Sequence, residues 1–183
     1  VGNYSLVENP EALCQLLSNS SANNPEEIFS IAYDKGRDNE AITKNTVATF
    51  FVTWPVNELK LEGDLAQADY RLHRSTVNKL YPDAGDLRRT AFFYKQDEAH
   101  MAGGTDYAVP YKFRKAIYNI DQSSEAGKSF LSLDANYVYW RLADIYLLRA
   151  ECLNKLGKTA EAMADLNVIR ARAGAAAYPA NGE

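Results

Sequence analysis

The residues best suited to chemistry do not assemble into a recognisable catalytic set. The two histidines, His73 and His100, are far apart, and neither lies in an HExxH pattern that would turn two imidazoles toward one zinc ion. Serines are numerous, but no GxSxG elbow exposes one as a nucleophile. No Walker-type phosphate loop and no strand–GxGxxG–helix fingerprint is present. Cys14 and Cys152 form no CxxC pair, which removes a zinc or thioredoxin-like reading. Each sits in an apolar helical pattern and is expected to be a separate buried thiol, although a disulfide between them stays open. Asp83 with Asp86, and Asp97 with Glu98, are carboxylate pairs, but a glycosidase needs a set separation across a cleft that chain spacing does not define. Exposed loop carboxylates account for both. Asp34, Asp38, Asn39 and Glu40 surround Gly36 in an oxygen-rich loop whose spacing does not match an EF-hand. The expectation is a protein without a catalytic centre or cofactor and with no metal site assigned, calcium at that loop staying open.

Bulk properties agree. A chain of 183 residues, 46% apolar and 24% charged, is long enough for one domain with a sizeable core. Its net charge of -4 is evenly mixed and argues against nucleic acid as a partner. No apolar stretch approaches the roughly 20 residues needed to span a bilayer. The chain opens on Val1 without a signal peptide and stops in turn residues at Tyr178–Glu183, so it is expected to be a piece of a larger protein.

The positioning elements come next. Residues 8 to 18 have helical periodicity, with Leu13, Leu16 and Leu17 on one face and Asn9-Pro10 at its start. Ile28 to Tyr33 reads as a short strand. Asp34 to Asn39 reads as a turn, and Ile42 to Trp54 is ambiguous, closed by Pro55. Ala66 to Leu80 is expected to be a short helix with Tyr70, Val77 and Leu80 inward, and Pro82 to Asp86 a turn. Leu87 to Tyr94 reads as helix or extended chain, Tyr107 to Phe113 as extended, and Asp121 to Lys128 as a polar loop.

The best-defined element is a helix over Asn136 to Leu156, with Val138, Leu142, Ile145, Leu148, Cys152 and Leu156 as one apolar stripe. Gly157 ends it, Thr159 is expected to cap the next helix, and Gly174 terminates that one. The short linker makes the two helices antiparallel. Ala150, Gly157, Ala162, Leu166 and Ile169 have tetratricopeptide-like offsets: small residues for close approach, glycine for the turn, larger residues to fill the gap. Only one such unit is visible. Arg141–Asp144 and Glu151–Lys155 are expected to pair along the first helix, and Arg170 and Arg172 to lie at the negative pole of the second.

The run Tyr139-Trp140-Arg141-Leu142-Ala143-Asp144-Ile145-Tyr146-Leu147-Leu148-Arg149-Ala150-Glu151-Cys152-Leu153-Asn154 resembles the signature helix of the SusD/RagB family. Gly157, Glu161-Ala162 and Leu166 to Gly174 resemble the helix that follows it. Weaker echoes in family order are Asn24-Pro25-Glu26-Glu27-Ile28-Phe29-Ser30-Ile31, Asp86-Leu87-Arg88 and Lys112-Phe113. The resemblance implies a mainly α, SusD-like fold: one domain fragment over residues 1–183, in which a tetratricopeptide-like hairpin at 137–174 supports loop-rich, partly extended segments. It further implies a non-enzymatic outer-membrane lipoprotein facing outward, which captures oligosaccharide or polysaccharide for a TonB-dependent transporter. The lipidated cysteine of such a protein lies near an N-terminus not included here, so neither Cys14 nor Cys152 takes that role.

Sugars are held by aromatic faces stacked on C–H faces, with amide, carboxylate or guanidinium groups on the hydroxyls. The chain has 12 tyrosines beside 7 phenylalanines and 2 tryptophans, and tyrosine suits a wet binding surface. The family's ligand contacts come from outside the hairpin, so the candidates are Trp54, Asn57, Tyr70, Arg71 and Tyr81, with Tyr107 in the loop after Gly103-Gly104. Trp54, held extended before Pro55, is the leading one, and packing beside Phe50 and Val52 is its structural alternative. Two other functions compete: a tetratricopeptide-type scaffold binding peptides in its concave groove, and a glycoside hydrolase fragment with two facing carboxylates, one with a raised pKa.

Overall fold

Asn9 and Pro10 start the first helix for a simple chemical reason. Asn9 Oδ1 accepts from the Ala12 amide at 2.8 Å, and proline costs no hydrogen bond in the first turn. Our computed structural model describes residues 3–18, 21, 23–32, 72–102, 104–115, 117–119, 130–133 and 135–181. The expected turn at Asp34 to Asn39, the segment Ile42 to Trp54 and the loop Asp121 to Lys128 lie outside them.

In chain order the elements are α1 (Pro10–Gln15), β1 (Glu27–Ile31), β2 (Leu72–His73), α2 (Arg74–Leu80), α3 (Arg88–Phe92), β3 (Phe93–Tyr94), β4 (Met101–Ala102), β5 (Thr105–Pro110), β6 (Ile117–Asn119), β7 (Phe130–Leu133), β8 (Tyr137–Arg141), α4 (Leu142–Lys155) and α5 (Thr159–Arg172). The strands form three small antiparallel groups: β1 with β8, β6 with β7, and a central β5 flanked by β2 on one edge and by β3 and β4 on the other.

The longest expected helix begins later than its periodicity suggests. Tyr137 to Arg141 is a strand paired with β1, and the helix starts at Leu142. The aromatic and β-branched run Tyr-Val-Tyr-Trp favours a pleated backbone once a partner is available. Asp144 then closes the helix start, its Oδ2 accepting from the Arg141 amide at 3.1 Å. The hairpin interior also differs from the expected stripe. Ala143, Ala150, Ala162 and Ile169 are buried, whereas Ile145, Leu148 and Leu156 are exposed, as is Cys152. Helices this close admit small side chains at the contact, which turns the larger ones outward. Cys14 is buried, donates weakly to the Ala91 carbonyl, and has its thiol pKa raised by burial, so it behaves as packing.

Further differences are local. In α2, Val77 is fully buried but Leu80 points to solvent. Lys158, not Thr159, holds the N-cap position of α5, and its side chain makes no capping bond. Arg170 and Arg172 do not simply face a helix pole: Arg170 Nε donates to the Ala176 carbonyl at 2.6 Å, and Arg172 pairs with Glu26. The Arg141–Asp144 and Glu151–Lys155 pairs form, at 3.5 and 2.8 Å.

Both hairpin helices end in the same left-handed cap. Gly157 has φ 75° and Gly174 φ 68°. At each, the following amide reaches back: Lys158 to Leu153 O at 2.9 Å and Ala175 to Arg170 O at 3.0 Å. Arg149 on α4 grips Asp165 on α5 through two bonds of 2.6 and 2.5 Å, which hold the Asp165 carboxyl below the usual range.

Glu26 is the buried tie. One carboxylate oxygen accepts from the Val7 amide and pairs with Arg172, while Arg141 approaches the other at 3.9 Å. Glu26→Ala is expected to remove about 3–5 kcal/mol by leaving Arg172 without its buried partner; urea unfolding of both proteins measures it. Gly157→Ala is expected to cost about 1–2 kcal/mol from its left-handed backbone alone. Gly174→Ala is expected to cost more, because its added Cβ would lie 2.9 Å from the Gly85 carbonyl, and the order of the two midpoints checks this.

Candidate functional site

The β5 group places aromatic side chains by alternation. Leu72 faces Ala108 and His73 faces Tyr107; Phe93 faces Pro110 and Tyr94 faces Val109. Paired residues share a face, so Leu72, Phe93, Ala108 and Pro110 lie on one side and His73, Tyr94, Tyr107 and Val109 on the other. The first side packs against α2 as a core of Val77, Phe93 and Ala108, with Tyr81 and Phe92 against it. The second side carries an aromatic surface.

On that surface the His73 and Tyr107 rings are 5.7 Å apart, Tyr94 and Tyr111 5.4 Å, and Tyr94 and His100 6.0 Å. Lys95 Nζ lies 5.5 Å from the Tyr94 ring, and the Arg114 guanidinium 4.1 Å from that of Tyr111. His100 Nε2 sits 3.2 Å from the carbonyls of both Tyr94 and Lys95. Both neighbours are acceptors, so Nε2 carries a hydrogen. His100 also presents its carbonyl to the Tyr107 amide and its own amide to Asp106 Oδ1. The hydrogen bond from Arg74 to Asp106 holds that carboxyl below its usual range. Lys95 is the one described non-glycine residue with positive φ, at 40°, in the turn leaving β3.

Of the residues expected to bind ligand, Trp54, Asn57, Tyr70 and Arg71 lie outside the described residues. The other two fall on opposite faces. Tyr107 is a half-buried strand residue rather than part of a loop, because β5 has partners on both edges. Tyr81 packs its ring 6.3 Å from Phe93, with the Arg88 guanidinium 5.1 Å over it. Arg88 is itself held by Asp86, through bonds of 2.9 and 2.6 Å from Nε and Nη2. His73, Tyr94, His100 and Tyr111 join Tyr107, and sequence reasoning missed them as a group. The available signal was the recurrence of Tyr107, Val109 and Tyr111 at every second position.

The carboxylates expected to be loop residues are occupied. Asp83 accepts from the Ala176 and Gly85 amides, which keep it below its usual range, and Asp97 pairs with Arg89. Glu98 lies 3.5 Å from Lys95. A glycosidase acid needs a raised pKa, the opposite of the direction at Asp83 and Asp106. Among the described residues, no group of three or more His, Cys, Asp or Glu side chains could hold a metal ion.

The described residues form a mainly α framework, a tetratricopeptide-like hairpin with small sheets. Residues 44–183 match the sequence model of the SusD family, and the chain belongs to that family. Among solved structures, a SusD superfamily protein from Bacteroides fragilis NCTC 9343 is 19% identical with a TM-score of 0.55, over 97% of this chain and 38% of that one. A SusD-like protein from the same organism is 21% identical with a TM-score of 0.50, over 96% and 41%. At these identities the likeness is one of fold, and the chain spans about two fifths of their length. None of the curated proteins compared with it matches. No helix among the described residues is long and apolar enough to cross a membrane.

Tyr94→Ala and Tyr107→Ala are each expected to weaken binding of a glycan stacked on this face about tenfold, one stacking contact's worth. Tyr81→Ala is expected to lower stability instead, by roughly 3 kcal/mol. Titration by tryptophan fluorescence and thermal melting separate the two effects.

Proposed function

We propose that this chain is part of a non-catalytic glycan-capture protein at the extracellular face of the outer membrane, lipid-anchored in its full-length form. It takes up oligosaccharide or polysaccharide and hands it to a TonB-dependent transporter. Residues 1–183 would form a single SusD-like unit, with 137–174 as its hairpin scaffold. The observation that carries this reading is membership of the SusD family over residues 44–183. The aromatic face of the β5 group supports it with the amphipathic tyrosines that sugar stacking uses. We propose that the glycan lies across that face, with Tyr70 and Arg71, the two residues before β2 in the sequence, as further proposed contacts. Trp54 and Asn57 remain proposed contacts.

A second reading has one observation of its own. Ile145, Leu147 and Leu148 on α4, Leu156 at its C-cap and Val168 on α5 are exposed, which suits a helical scaffold that docks protein. In the capture role these exposed residues would serve the transporter side.

Calorimetry against a panel of soluble polysaccharides and oligosaccharides tests the reading, with released reducing ends assayed in the same tubes. Binding without release is the expected result. Release of reducing sugar would return the hydrolase reading. Silence across the panel would overturn capture by this chain.

A further inference from the structure

A concave surface is lined by residues other than those of the aromatic face. The C-terminal end of α1, the segment leading into β1, and β8 enclose a cavity of about 360 Å³. That is at the small end of the roughly 300–1,000 Å³ typical of small-molecule sites. It equals about a dozen waters at ~30 Å³ each, enough for one sugar ring. Its polar lining comprises Ser18, Ser21, Asn23, Asn24, Glu27 and Asn136, of which Ser18 and Asn136 already have partners, and Leu16, Leu17 and Val138 supply apolar wall.

The lining has unspent hydrogen-bonding capacity. Asn24 Oδ1 accepts from the Glu26 amide at 3.0 Å, which turns that side chain to a fixed orientation and leaves its Nδ2 hydrogens without a partner among the described residues. The Asn23 side chain has no partner among them either. Ser30 donates to Glu27 Oε1, and Glu27 Oε2 makes no hydrogen bond among the described residues. The Ser21 hydroxyl donates to the Gln15 carbonyl at 2.7 Å and keeps acceptor capacity. Amide donors beside a carboxylate acceptor are what a pair of sugar hydroxyls requires, since each hydroxyl both gives and accepts. No lysine or arginine lines the cavity, so a phosphate or sulfate would find no cation. One carboxylate is too few for a divalent cation cage. The apolar wall suits the C–H face of a ring.

We propose that this cavity is a second sugar subsite, taking one neutral, unphosphorylated monosaccharide unit of the captured glycan. The inference rests on the glycan-capture reading. Asn24 and Glu27 flank Glu26, so the buried tie that holds the fold also holds the two polar walls of the site.

The test is a two-dimensional NMR titration of the whole ¹⁵N-labelled chain with D-glucose, D-galactose and D-mannose, and separately with inorganic phosphate. The expected result is saturable shifts at the amides of Ser21, Asn24, Glu27 and Asn136 with at least one sugar and none with phosphate. Asn23→Ala removes a side chain that holds nothing else among the described residues and is expected to weaken that response about tenfold. Ser21→Phe, which fills the cavity, is expected to abolish it. Shifts confined to the Tyr94, Tyr107 and Tyr111 region overturn the cavity site while leaving glycan capture standing. Phosphate shifts at the cavity amides overturn the neutral-sugar assignment. A cavity silent to all three sugars overturns the subsite, and the polysaccharide calorimetry then decides capture on its own.

Discussion

A single buried carboxylate organises the described structure. Glu26 is fully removed from solvent, a costly position for a charge unless it is paired and hydrogen-bonded. Its side chain joins the Val7 amide near one end of the chain to Arg172 at the end of α5. Its carbonyl accepts from the Leu142 amide at 2.8 Å, the first residue of α4. Four distant stretches thus meet at one residue: the N-terminal segment, β1, the start of the hairpin and its end. The β1–β8 ladder is short and bulged, so its own hydrogen bonds fix the register weakly. The Glu26 contacts add to that specification, its carbonyl holding the Leu142 amide and its carboxylate holding Arg172.

The charge around this tie is not balanced by simple pairing. Lys112 lies nearby with its ammonium over the Phe92 and Phe113 rings, at 5.2 and 5.5 Å. Burial drives its pKa down, and the positive charge of Arg141 pushes the same way. The two aromatic faces offset part of the desolvation. Lys112-Phe113, which in sequence looks only like a short extended piece, thus brings an ammonium within reach of the charges of Arg141, Asp144 and Glu26. Next in the chain, Arg114 donates to Ala91 O at 3.0 Å and pairs with Glu11 on α1.

What the sequence revealed depended on the range of the interaction involved. Asn9-Pro10, Gly157 and Gly174 were legible because a cap is decided within a few residues. The family membership was legible from the contiguous stretch Tyr139 to Gly174. The strand at Tyr137–Arg141 was not, since its pairing with β1 comes from more than a hundred residues earlier in the chain and periodicity continued smoothly into α4. The outward turn of Ile145 and Leu148 was hidden because hydrophobicity alone ranks leucine above alanine, while close helix approach selects alanine. The aromatic face was hidden for another reason. Strands β2, β3 and β4 have two residues each, too short to display an alternation, and only their shared partner β5 aligns His73, Tyr94 and Tyr107.

The hairpin reaches the aromatic face by a second route, and this explains why a helical scaffold matters to a sheet-borne surface. The Leu87 amide donates to the Ala173 carbonyl at 2.8 Å, and the Ala176 amide to Asp83 Oδ2 at 2.9 Å. The turn at residues 83–87 is thereby fastened to the cap of α5, and Gly174 is glycine partly because the Gly85 carbonyl comes so near. From that turn the chain passes through the Asp86–Arg88 clamp into α3 and directly into β3, which carries Tyr94. One end of α5 therefore fixes two things at once: the Glu26 walls through Arg172, and the aromatic sheet through Ala173 and Ala176.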